Sequence, residues 1–224
     1  MSKLPTQRTS VDQFLSQVEK LPKKSDEAAR LIFGLDATAS REPMWDLATQ
    51  LHNELFNTAS EINLEVQLVY YRGFNEFHVS KWSKNAGELR QEMTRVRCLG
   101  GMTQINRFLN HVQREASSER LRAAVFIGDA CEESPTEILS VAGQLGLMQI
   151  PIFAFQEGHD LRATQVFSGM AARSGGAHIP FAPGSAQELR ELLNAVAQFA
   201  SGGLAAIAKL KGPVGIRLLQ QLKK

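Results

Sequence analysis

The chain is poor in cysteine, tryptophan and tyrosine, has no long apolar run and carries almost no excess of charge. Each shortage removes a class of protein. Two cysteines, Cys98 and Cys131, are too few for the disulfide framework of a small secreted scaffold and agree with a reducing compartment, so a cytoplasmic location is expected. No stretch approaches the roughly 20 apolar residues that span a bilayer. The opening MSKLPTQRTSVDQF lacks the apolar core of a signal peptide. With 25 Lys and Arg against 23 Asp and Glu, the formal charge is +2, and no global field exists to drive non-specific nucleic-acid binding. What is present is a 224-residue chain, 43% hydrophobic and 21% charged, which suits one sizeable soluble α/β domain with short appendages.

Apolar periodicity divides the chain. Val11, Phe14, Leu15 and Val18 recur at helical spacing behind Ser10 until Leu21-Pro22, predicting a helix over 10–21 and a linker that completes an N-terminal appendage, residues 1–29. Arg30-Leu-Ile-Phe-Gly-Leu-Asp36 is a short apolar run without alternation, as expected of a strand buried on both faces of a parallel sheet. Met44, Leu47, Leu51 and Leu55 repeat at helical spacing after Pro43. Val66 to Tyr71 reads as a second strand. Arg72-Gly73 then turns into an alternating segment, Phe74 to Trp82, too close for a helical crossover and hence an antiparallel edge strand. Helices over 88–96 and 104–115 flank the loop Cys98 to Thr103, and Ala123 to Asp129 repeats the pattern of strand followed by carboxylate. Helix 136–146, strand 150–155, helix 161–173, strand 177–181 and helix 186–200 follow. Strands alternating with helices imply a mostly parallel, doubly wound sheet over residues 30–200. The tail, 201–224, opens on Gly202-Gly203 and ends in Ile216, Leu218, Leu219 and Leu222 among four lysines and one arginine. It reads as a basic amphipathic segment, either a partner or membrane-surface helix or a helix packed back on the domain.

In such a sheet, ligands bind outside the carboxyl ends of the strands, where the strand order reverses. Asp36 and Asp129 both stand at strand ends. Asp36 is followed by Thr38 and Ser40, and alternate residues of a tight loop point at one centre, so a carboxylate and two hydroxyls converge as hard oxygen donors. That donor set suits Mg²⁺, which takes few carboxylates and keeps waters. No His or Cys stands at a spacing that would favour zinc.

Here the chain resembles the von Willebrand factor A (VWA) domain with its metal-ion-dependent adhesion site (MIDAS). Asp36, Thr38 and Ser40 match the family's DxSxS motif with Thr in place of the first Ser, and Ala39 stands where the family commonly has Gly. Thr103, behind Gly100-Gly101, matches the separate threonine, and Asp129 the aspartate at the end of the fourth strand. The resemblance implies a six-stranded sheet of order 3-2-1-4-5-6 with strand 3 antiparallel and helices on both faces. It implies a site of Asp36, Thr38, Ser40, Thr103 and Asp129 holding Mg²⁺, or Mn²⁺ or Ca²⁺. It further implies a non-enzymatic function, in which the ion grips the Asp or Glu of a protein partner.

Other readings compete. Either aspartate alone can serve as a helix cap, as can Thr103. Glu132 and Glu133 read as solvated neighbours, Cys98 and Cys131 as packing residues or a redox pair beside the site, and the aromatics among Arg72 and Lys81 as strand packing rather than a base-stacking surface. A metal-dependent phosphohydrolase or phosphotransferase is the main alternative, since Asp36 stands where haloacid dehalogenase-like enzymes keep their nucleophile, but those enzymes need a second acid two residues on, where Thr38 stands. A metal-free scaffold with the same fold is the third reading. Phosphate-binding glycine motifs and GxSxG are absent.

Overall fold

Strand β1 (Ala29–Asp36) is buried along both faces from Leu31 onward, which places it inside the sheet. It pairs in parallel with β2 (Leu64–Arg72) on one side and β4 (Leu121–Gly128) on the other. A short β3 (Glu76–Val79) runs antiparallel to β2, and β5 (Ile152–Glu157) and β6 (Ala177–Phe181) extend the parallel array beyond β4. The order is β3-β2-β1-β4-β5-β6, the topology expected from the sequence. This computed structural model describes residues 27–42, 63–117, 120–181, 186–207 and 213–222. The helices expected over 10–21 and 44–55 lie outside the described residues.

Alternation along β1 sorts side chains into two layers. Leu31, Phe33 and Leu35 pack with α1 (Ala86–Arg95) and α5 (Ala186–Ile207) through Leu89, Met93, Leu192 and Val196. Ile32 faces the other layer, formed by α2 (Ile105–Glu115), α3 (Pro135–Leu147) and α4 (Leu161–Ser174). Gly34 also faces that layer, and a Cβ there would overlap the ring of Phe108 on α2. Its lack of a side chain is therefore what lets α2 lie close to the sheet.

Element ends differ from the sequence reading for local reasons. The third strand is confined to Glu76–Val79 because Gly73, at φ +58°, opens a turn that takes up Phe74 and Asn75. Helix α1 starts earlier because Asn85 caps it, its side chain accepting from Gly87 N at 2.8 Å. Strand β5 runs past Phe155 to take in Gln156 and Glu157, both buried although polar. Helix α5 continues past the expected end, kinked at Gly203, to Ile207, and α6 (Pro213–Leu222) follows. Ile207 and Leu218 are fully buried in the core layer shared by α1 and α5.

Candidate metal centre

Asp36 is the last residue of β1, in register with Tyr71 of β2. The neighbouring pair Leu35 and Ile127 puts Gly128 beside Asp36, and a Cβ on Gly128 would lie 3.5 Å from that of Asp36. Asp129 is the next residue. The two aspartates therefore stand at the same end of adjacent central strands.

Asp36 is fully buried, and both its oxygens are engaged. Oδ1 accepts from the Thr38 backbone N–H at 2.8 Å, and Oδ2 accepts from the Tyr71 hydroxyl at 2.9 Å. The first bond folds the chain back immediately after the strand. A 3-10 turn, Ala39–Arg41, then brings the Thr38 Oγ1 and Ser40 Oγ to 3.2 Å. Ala39 is not among the described residues of positive φ, so the glycine common at this place in the family meets no backbone requirement here. Asp129 Oδ1 is buried and has no hydrogen-bond partner among the described residues. Such an atom loses its hydration on burial without replacement and is a strong acceptor for whatever cation reaches it.

Thr103 lies on the adjacent loop, where its partners are residues following β4. Its N–H donates to Glu132 Oε2 at 2.9 Å, and its hydroxyl oxygen accepts from Glu132 N–H at 3.1 Å. Glu133 accepts from the Ile105 and Asn106 N–H groups and so caps α2 from another loop. Glu132 stays exposed, as expected, and Glu133 is half-buried; beyond that expectation, both clamp the Thr103 loop to the Asp129 loop. Gly101 allows the close packing, since a Cβ there would strike the Gly73 carbonyl. The structure thus brings Asp36, Thr38, Ser40 and Asp129 to one strand end. It ties Thr103 to the loop that carries Asp129, without a hydrogen bond from Thr103 to the first motif.

Burial raises the carboxyl pKa of Asp36; the hydrogen bonds from Thr38 and the charge of Arg41 oppose this, and Asp129 adds to it. Arg41 went unnoticed in the sequence. Its buried guanidinium pairs with Glu157 of β5 at 3.1 Å and donates to the carbonyls of Asp36 at 3.0 Å and Ile127 at 3.5 Å. A partner 116 positions away left no local signal. The cysteines are free and pack in opposite layers, Cys98 beside α1 and Cys131 beside α2. Burial pushes both thiols up to about 11, which keeps them protonated at neutral pH.

Whether these donors suit a cation can be tested on their spacing. Oxygen ligands at about 2.1 Å in an octahedral shell have neighbours about 3 Å apart, and the 3.2 Å between the Thr38 and Ser40 hydroxyl oxygens fits two adjacent positions. Among the described residues no group of three or more His, Cys, Asp or Glu forms a metal cluster, and the oxygen donors they offer at this strand end are hydroxyls beside two carboxylates.

No family model matches the chain, and no curated protein matches it. Solved structures do. The SpRpn10 VWA domain aligns at 12% identity and TM-score 0.59, over 75% of this chain and 95% of that one. A conserved hypothetical protein, BatB from Bacteroides thetaiotaomicron, aligns at 13% identity and TM-score 0.59, over 82% and 100%. A mutant of the PilB minor pilin from Streptococcus sanguinis gives 11% identity and TM-score 0.65, over 86% of this chain and 65% of that one. At these identities the likeness establishes the fold, which is that of VWA domains. No helix among the described residues is long and apolar enough to cross a membrane.

Proposed function

We propose that this protein is a cytoplasmic, divalent-metal-dependent protein-interaction module with no catalytic activity of its own, which binds an Asp or Glu side chain of a partner. The observation that carries the reading is the buried Oδ1 of Asp129, without a hydrogen-bond partner among the described residues, at the strand end beside Asp36, where the Thr38 and Ser40 hydroxyls also approach each other. Asp36, Thr38, Ser40 and Asp129 would hold Mg²⁺, or Mn²⁺ or Ca²⁺, with Thr103 supplying a further hydroxyl from its clamped loop. Bound there, the ion supplies a concentrated positive charge with a position open to an anionic oxygen. The chain's own residues fix the arrangement: Tyr71 and the Thr38 N–H orient Asp36, Arg41 braces the turn from below, and Glu132 holds Thr103. The enzyme reading lacks a second acid two residues beyond Asp36, a position held by Thr38.

Titration calorimetry with Mg²⁺ and Mn²⁺ tests this directly. Wild type is expected to bind one ion and to melt at a higher temperature in its presence. Asp36→Ala is expected to lose both effects while keeping its far-UV spectrum. Equal ion binding by the two proteins rejects the metal centre, and turnover of a generic phosphoester favours the phosphohydrolase reading instead.

A further inference from the structure

We infer that the face around this metal centre is built for a partner segment in which an apolar residue lies between acidic ones, an inference that rests on the metal-dependent reading above. Three large apolar side chains are exposed on the loops beside the centre: Phe74 at 80%, Leu99 at 47% and Met102 at 52%. Singly, such residues need no explanation. These three share one scaffold with the metal loop. Leu99 N–H donates to the Ala37 carbonyl, inside the Asp36 to Ser40 motif, at 3.1 Å, and Gly73 N–H donates to the Leu99 carbonyl at 3.2 Å. A Cβ on Gly73 would meet Leu99 Cδ2 at 3.0 Å, so the leucine lies over the turn that presents Phe74, and Met102 immediately precedes Thr103.

Charge selects the partner's remaining residues. Arg107 reaches the same turn, donating to the Asn75 carbonyl at 3.1 Å while its guanidinium lies 4.7 Å from the Phe77 ring centroid. Arg97, two residues before Leu99, donates to the carbonyls of Thr94 and Val96, both at 3.1 Å. Among the described residues neither arginine lies within ion-pair distance of a carboxylate. The surface beside the centre therefore offers apolar contact flanked by two cations whose protein partners are neutral. An extended segment with one carboxylate at the ion, an aromatic or aliphatic side chain on Phe74 and Met102, and a second carboxylate toward Arg107 is complementary to it in charge and in polarity.

Fluorescence polarisation with three synthetic peptides and the full chain in Mg²⁺ provides the test. The first peptide carries one Glu in a Gly-Ser background, the second adds Phe beside it, and the third adds a further Glu beyond the Phe. The Phe is expected to tighten binding by about tenfold, as burial of one such side chain allows. The second Glu adds a smaller, salt-sensitive gain. F74S/M102S, changed only at exposed positions and checked by thermal melting, is expected to erase the Phe gain and retain the weak Mg²⁺-dependent binding. R97Q/R107Q is expected to erase the second-Glu gain. Equal affinity for all three peptides, no peptide binding to metal-loaded protein, or a Phe gain that survives in F74S/M102S would overturn the inference. Mn²⁺ alone, followed by paramagnetic resonance, reads the centre without a peptide. Failure to bind Mn²⁺ defeats both readings, whereas Mn²⁺ binding without peptide discrimination defeats this one only.

Discussion

Arg41→Met removes the guanidinium that braces the metal loop and leaves the Glu157 carboxylate buried beside it without its counter-charge. The side chains of the pair are 1% and 9% exposed, so water cannot compensate the loss. Breaking a buried pair from one side costs about 3–5 kcal/mol, and the carbonyls of Asp36 and Ile127 also lose a donor. Assuming a urea m-value of about 2–3 kcal/mol per molar, the denaturation midpoint should fall by about 1–2.5 M. Replacing the whole pair, as Arg41→Met with Glu157→Leu, should recover most of that loss, because the buried charge is then gone. Urea unfolding followed by circular dichroism on the chelated protein measures both variants, free of any contribution from bound ion. A single-variant loss below about 1 kcal/mol, the scale of an exposed ion pair, would refute the assignment of Arg41 as a desolvated brace.

Two further outcomes test the scaffold. Gly34→Ala should cost about 1–3 kcal/mol by overpacking, since the new methyl overlaps the Phe108 ring, itself packed on Phe126 at a centroid distance of 5.4 Å; thermal melting measures this, and Phe108→Leu in the same chain should relieve part of it. His111 donates from Nε2 to Gln67 Oε1 at 2.7 Å, because the Gln67 amide nitrogen is already donating to the Ser80 carbonyl. Burial depresses the pKa of this imidazole below its ordinary 6.5. The folded state therefore favours the neutral ring, and its contribution to stability is present above 6.5 and lost as the pH falls through that value toward the lower folded one. Chemical denaturation across this window should show a shallower pH dependence for His111→Gln than for wild type, and an unchanged slope would refute the assignment.

Much of the fold was legible because burial on both faces removes alternation. The uniform apolar runs ending at Asp36 and Asp129 marked central parallel strands, and the alternating segment after Gly73 marked an edge. Buried polar residues misled the reading of β5: Gln156 and Glu157 look like loop residues until their partners are known. Gln156 accepts from Thr164 Oγ1 at 2.9 Å, and Glu157 from Arg41. Asn85 was missed as a cap because its role depends on a side-chain bond to the following N–H groups, a geometry that many loop asparagines do not adopt.

The candidate site divides in the same way. By itself the sequence determined the spacing of Asp36, Thr38 and Ser40, because donors two residues apart in a tight turn converge whatever surrounds them. It also determined that two carboxylates end neighbouring-type strands. Only the tertiary structure decided the register that sets Asp36 beside Gly128, that Asp129 keeps a buried oxygen with no partner among the described residues, and that Glu132, Glu133 and Arg41 hold the loops. The physical reason is range: turn geometry acts over a few residues of chain, whereas desolvation and ion pairing depend on which distant side chains the sheet brings together.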